Sequence, residues 1–152
     1  MTDETRRTAG WFLIILPTVV YGGVSLLSFL IDTESGYLEN TLRQDLWRAG
    51  HAHAGVLLLL TLSVLPYLER AALSKKWKQF ARFSIPSAAI FLPLGFFFSV
   101  LKPDATEPNG WIYLAYIGAV ILTAGLLTLG VGLVRKGRTH IKQQNTIDQR
   151  EL

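Results

Sequence analysis

Two histidines stand one residue apart in the stretch LWRAGHAHAGVLLLL (46–60), just behind Arg48 and at the mouth of a hydrophobic run. Imidazole has the widest chemistry of any side chain near neutral pH: it ligates metals, exchanges hydrogen bonds and carries protons. In a helix, positions two apart differ by about 200°, so the rings of His51 and His53 leave opposite faces and one regular helix cannot aim both at a single ion. His51 shares its face with Arg48, Gly55 and Leu58, whereas His53 shares one with Ala49, Gly50, Leu57 and Leu60. Every other residue between positions 49 and 55 is Ala or Gly, which lets a neighbouring helix or a flat ligand approach the backbone.

Five kinds of chemistry compete for the pair. Each ring can simply hydrogen-bond to a neighbouring helix or to interfacial water. Haem iron accepts a neutral imidazole as axial ligand. The third histidine, His140, falls in the polar tail at the opposite end, so a five-coordinate haem, a tyrosine partner or a haem shared across a dimer fits better than two histidines of one chain. Copper or zinc at His51 and His53 needs further ligands, and the chain has no cysteine and no acidic cluster nearby. For a quinone head group, Arg48 and the histidines supply donors, while Tyr113, Tyr116 and the run Phe96, Phe97, Phe98, expected at the same level, can stack on the ring. Proton-linked transport through a histidine-lined cavity of a small permease lacks an acidic residue in the apolar runs to continue a relay.

The elements that must position these groups are apolar. Half of the 152 residues are hydrophobic and 17% are charged, unusual for a soluble domain. Four runs, 11–31, 49–68, 83–101 and 111–134, contain no Asp, Glu, Lys or Arg, and each approaches the ~20 residues a helix needs to cross hydrocarbon. The expected fold is all-α: a single membrane domain over 1–152, built as an antiparallel bundle of four transmembrane helices with a polar, mobile tail over 135–152. The first run follows a basic start but is too long for a signal peptide, and no small-residue cleavage site closes it, so it reads as an uncleaved first helix.

Twelve of the fifteen basic residues lie before the first run, in the second connection or in the tail; only Arg43, Arg48 and Lys102 lie in the other connections. This bias predicts a multi-pass protein of the inner or plasma membrane with both termini cytoplasmic. The net charge of +4 then reflects orientation and contact with the lipid bilayer, not a nucleic-acid partner. Trp11, Trp47, Trp77 and Trp111 all fall near run ends, where indoles sit at headgroup level. Leu38, Leu42 and Leu46 have helical spacing in the first outer connection, which predicts a short helix lying on the outer surface. The outer connection KPDATEPNG is short and rich in turn residues, so the third and fourth helices should be neighbours.

Gly118, Gly125 and Gly132 recur every seven residues and form a close-approach seam, used within the chain, in a homodimer or in a larger membrane complex. Pro17, Pro86 and Pro93 invite kinks that widen a bundle into a cavity.

The segment RAGHAHAGVLLLL resembles one in small bacterial four-helix membrane proteins and is more distantly similar to the H-x-H helix of proteins related to haem-copper oxidase subunit I. The resemblance implies membership of the respiratory chain or haem-linked work, with His51 or His53 as the iron ligand. The later-helix histidines of the full oxidase pattern are missing here, which argues against oxygen reduction. No catalytic constellation is present, so the expected role is that of an accessory, non-enzymatic membrane protein, with Arg48, His51, His53, Tyr113 and Tyr116 as the outer-side site for haem or quinone.

Overall fold

The computed structural model describes residues 1–148, with side chains through residue 135. It is all-helical, with α1 over Asp3–Ile31, α2 over Thr41–Arg70, α3 over Lys75–Ser99 and α4 over Tyr113–Asp148. All four helices are long and apolar enough to cross a membrane. Each extends beyond its charge-free run on at least one side. α2, at 30 residues, is about 45 Å long at 1.5 Å per residue, so it overreaches a ~30 Å hydrocarbon core by several turns.

The capping residues explain where the helices start. Thr2 accepts a hydrogen bond from the Thr5 N–H, and Asp3 and Glu4 in the first turn of α1 favour the positive end of its dipole. The Asn40 side chain accepts from the Arg43 N–H and begins α2 at Thr41. The surface helix expected around Leu38, Leu42 and Leu46 is therefore not a separate element. With no proline between this cap and the histidines, Leu42 and Leu46 occupy the first turns of α2 and pack on the core, and Leu38 precedes the cap. Gly36, with φ of 64°, makes the left-handed turn that brings the chain round to that cap. The polar tail is entered as a continuation of α4, which runs on without interruption to Asp148. The side chains of 136–148, His140 among them, and residues 149–152 lie outside the described residues.

α2 and α3 form the centre, α4 covers α3 in the most extensive helix pair, and α1 lies along α2. Contacts descend one helix as they ascend its neighbour: Gly95 meets Ala115, Gly118 meets Leu92, and Gly125 meets Ser84. The α2–α3 connection shares its end of the molecule with the start of α1: the Thr2 N–H donates to Glu69 Oε1 at 2.6 Å, and the Ala72 N–H donates to the Gly132 carbonyl at 2.9 Å. The other end, the loop end, is tied by Asn40, whose amide donates to the carbonyls of Pro103 and Ala105, both at 2.9 Å.

The seam of α4 is filled within the chain. Gly118 and Gly125 face α3, and Gly132 faces Leu73. A methyl group at any of the three would crowd these neighbours, so the close approach belongs to α3·α4 packing and the α2–α3 connection. The prolines leave their helices unbroken, and five cavities of about 330 to 610 Å³ among the described residues are lined mainly by the connections, by the start of α3 and by α4, with none of Pro17, Pro86 and Pro93 in their walls. Three tryptophans, Trp11, Trp77 and Trp111, are exposed as expected of interfacial rings. Trp47 is not: it is 7% exposed, because its indole N–H reaches the Phe97 carbonyl at 3.1 Å and it packs with Tyr37 and Val100 in a core at the loop end.

Candidate functional site

The histidines occupy the third and fourth turns of α2, where small residues admit a helix on each side. On one side, α1 brings Gly22 and Gly23 against His51. A β-carbon at Gly23 would lie 3.1 Å from His51 Nε2 and 3.2 Å from Cε1, and one at Gly22 would lie 3.5 Å from Nδ1. The half-buried His51 ring thus fills a notch beside the glycine pair, tightest at Gly23, with Nε2 turned to the α1 backbone. On the other side, Phe96 and Phe97 of α3 lean on Gly50, where a β-carbon would meet their atoms at 3.1 to 3.3 Å.

His53 has a different setting. Its Nδ1 lies 2.7 Å from the Ala49 carbonyl oxygen, one turn back in the same helix. A carbonyl only accepts, so Nδ1 carries the proton and the neutral ring keeps its lone pair on Nε2. The ring is exposed and tilts against Phe96, with centroids 5.3 Å apart. A backbone carbonyl fixing Nδ1–H is the arrangement that orients ligating or hydrogen-bond-accepting imidazoles. The pair therefore divides into a packing ring, His51, and a presented ring, His53.

The other expected members scatter. The exposed Arg48 donates through Nη2 to Gln44 Oε1 at 2.9 Å, back along α2. Tyr113 and Tyr116 on α4 pair with each other at 6.1 Å and contact neither histidine; Tyr113 borders a cavity of about 460 Å³ with Asn109 and Trp111. The three consecutive phenylalanines separate: Phe96 goes to His53, Phe97 to Trp47 and Phe98 to Trp111. Among the described residues no group of three or more His, Cys, Asp or Glu could hold a metal ion. For His51 and His53 as metal ligands the difficulty is geometric: the rings face different neighbours and no third donor joins either.

One cluster beside the site escapes sequence reading. Tyr37 is fully buried against Trp47 and Phe29, and the Arg43 guanidinium sits 4.1 Å over the Trp47 ring. The Tyr37 hydroxyl and Arg43 Nε are buried without a hydrogen-bond partner. Burial pushes the Tyr37 phenol above its ordinary pKa, and the positive charges of Arg48 and Arg43 offset part of that rise. The i, i+4 spacing of Arg43 and Trp47 was the available signal for the cation–π pair. Nothing local marked Tyr37.

Comparison with known proteins finds no match, whether among family models, curated proteins or solved structures.

Proposed function

We propose that the chain is a multi-pass integral membrane protein, an antiparallel four-helix bundle with both termini cytoplasmic. In this reading its His53 offers an acceptor nitrogen, near the outer surface, to the ring of a membrane-borne redox molecule. Large apolar side chains exposed on every helix, such as Val20, Val56, Ile90 and Val120, support the lipid environment, since a soluble monomer rarely leaves such a belt uncovered. The basic residues around Arg70, Lys75, Lys76, Lys78 and Arg82 support the orientation.

The single observation that carries the site is the 2.7 Å contact of His53 Nδ1 with the Ala49 carbonyl, which leaves Nε2 as the free lone pair beside Phe96. A quinol hydroxyl can donate to that nitrogen while its ring lies against the phenylalanine. A haem iron would take the same Nε2 as one axial ligand, but the second would have to come from outside the pair, because His51 Nε2 faces Gly23. Quinone chemistry is therefore the better fit. Quinones supply two-electron, two-proton redox chemistry when bound; the chain's own contribution is to accept one hydrogen bond and orient the ring. The role is accessory, within a respiratory assembly.

Protein purified from its native membrane should carry extractable quinone and show no Soret band. A Soret band would replace quinone with haem, and a preparation with neither would remove the reading.

A further inference from the structure

At the end opposite the histidines, a cavity of about 610 Å³ is lined by Glu4, Leu73, Lys75, Lys78, Gln79 and Arg82. Three cations face one carboxylate, and that carboxylate is already engaged with Arg82 Nη1. Lys78 Nζ donates to the Glu69 carbonyl at 3.1 Å, and Lys75 forms no ion pair among the described residues. The Arg82 side chain is only 10% exposed; Nη2 reaches Thr5 Oγ1 at 3.4 Å, and Nε is buried without a partner.

The cavity also opens at the start of α3, and the first turn there runs against the usual order. Its cap residue, Ser74, makes no side-chain cap hydrogen bond, and the turn holds no acidic residue. Lys75, Lys76 and Lys78 crowd the positive end of the helix dipole, which is unfavourable unless an anion joins them. Leu73 is shared with a second cavity, of about 360 Å³, whose other walls are Trp77, Leu127, Thr128, Val131 and Arg135. A basic pocket thus adjoins a mostly apolar groove between α3 and α4.

We infer that the cavity at the start of α3 binds the phosphate of an anionic phospholipid, with one acyl chain laid in the adjoining groove. Free phosphate has the headgroup's chemistry but no use for the groove. The inference rests on the membrane placement proposed above, with this end at the cytoplasmic leaflet.

The test uses the full chain in detergent and native mass spectrometry with phosphatidylglycerol, phosphatidylcholine and inorganic phosphate offered separately. Wild type should retain phosphatidylglycerol over phosphatidylcholine. At about 1 kcal/mol per basic residue near the headgroup, Lys75→Gln and Lys78→Gln should each lower that retention about fivefold, with phosphatidylcholine unmoved. Lys102→Gln, at the loop end, should change nothing. Arg82→Gln removes the Glu4 pair and so can unfold this end, but the lysine variants stand without it. An unchanged lipid preference in Lys75→Gln/Lys78→Gln would overturn the inference. Binding of inorganic phosphate without preference for phosphatidylglycerol would overturn the lipid assignment. A chain that alkaline carbonate strips from vesicles loses the membrane reading itself, whereas one that resists extraction but lacks the lysine dependence loses only this inference.

Discussion

Gly95→Ala is the most severe small change that the packing of α3 on α4 offers. A methyl group built there overlaps the Ala115 backbone nitrogen and lies 2.9 Å from Ala115 Cβ and 3.0 Å from its Cα. Carbon atoms in contact prefer about 3.5 to 4.0 Å, so the helices must part by roughly 0.5 to 1 Å at this crossing. The obstacle is largely backbone, which cannot rotate aside, and the same separation loosens the contact of Gly118 with Leu92, three residues away along each helix. Overpacking of this kind costs about 1–3 kcal/mol. Gly130→Ala, in α4 with nothing within 4 Å of the added methyl, is the matched control and should gain about 0.8–1 kcal/mol from helix propensity. Gly95 is helical too, so that gain is common to both variants and they should differ by the overpacking cost, roughly 1–3 kcal/mol, in a reversible unfolding titration in mixed micelles. Equal stability of Gly95→Ala and Gly130→Ala would refute the α3·α4 register.

Asn40→Ala removes a helix cap and two bonds to the Pro103 and Ala105 carbonyls, and should cost about 2–3 kcal/mol by the same titration. Asn40→Ser keeps a cap acceptor without the two loop bonds and should recover about half of that, whereas Asn40→Asp turns a carboxylate oxygen on the two carbonyls and should recover less. Tyr37→Phe deletes a buried hydroxyl without a partner, so it should be neutral or stabilising at pH 7. Because burial raises the Tyr37 pKa in the folded state, its contribution is intact below the unfolded phenol value near 10 and is lost as pH rises through the higher folded value; wild type should therefore weaken more than Tyr37→Phe above about pH 10, as read by fluorescence-monitored unfolding. Cysteines replacing the exposed Thr33 and Ser74 should react with an impermeant maleimide from outside and inside respectively, and the reverse would invert the orientation.

The four apolar runs were legible because charge-free length is a property of each run alone. Their ends were less so: caps such as Asn40 and the continuous register into His51 decide whether a polar flank joins the helix, and no hydropathy window weighs a cap. Trp47 shows the limit for aromatic rings. Its position near a run end suggested headgroup level, yet the Phe97 carbonyl and the Arg43 guanidinium satisfy it inside. The opposite faces of His51 and His53 followed from helical geometry, whereas their division of labour did not. It depends on the register that sets Gly22 and Gly23 beside one ring and leaves the other exposed, which only the packed helices determine. Tyr113 and Tyr116 were grouped with the histidines by depth alone, and depth does not say which helix of a bundle a ring meets.

The central claim is that His53, not His51, meets the ligand. Binding of a quinone analogue to nanodisc-embedded wild type, His53→Ala and His51→Ala tests it most directly. One hydrogen bond within a membrane is worth about 0.6 to 1.4 kcal/mol, so His53→Ala should weaken binding about three- to tenfold. His51→Ala should leave affinity unchanged and instead lower bundle stability by emptying the notch at Gly22 and Gly23. Equal losses from both variants, or a loss from His51→Ala alone, would contradict the account.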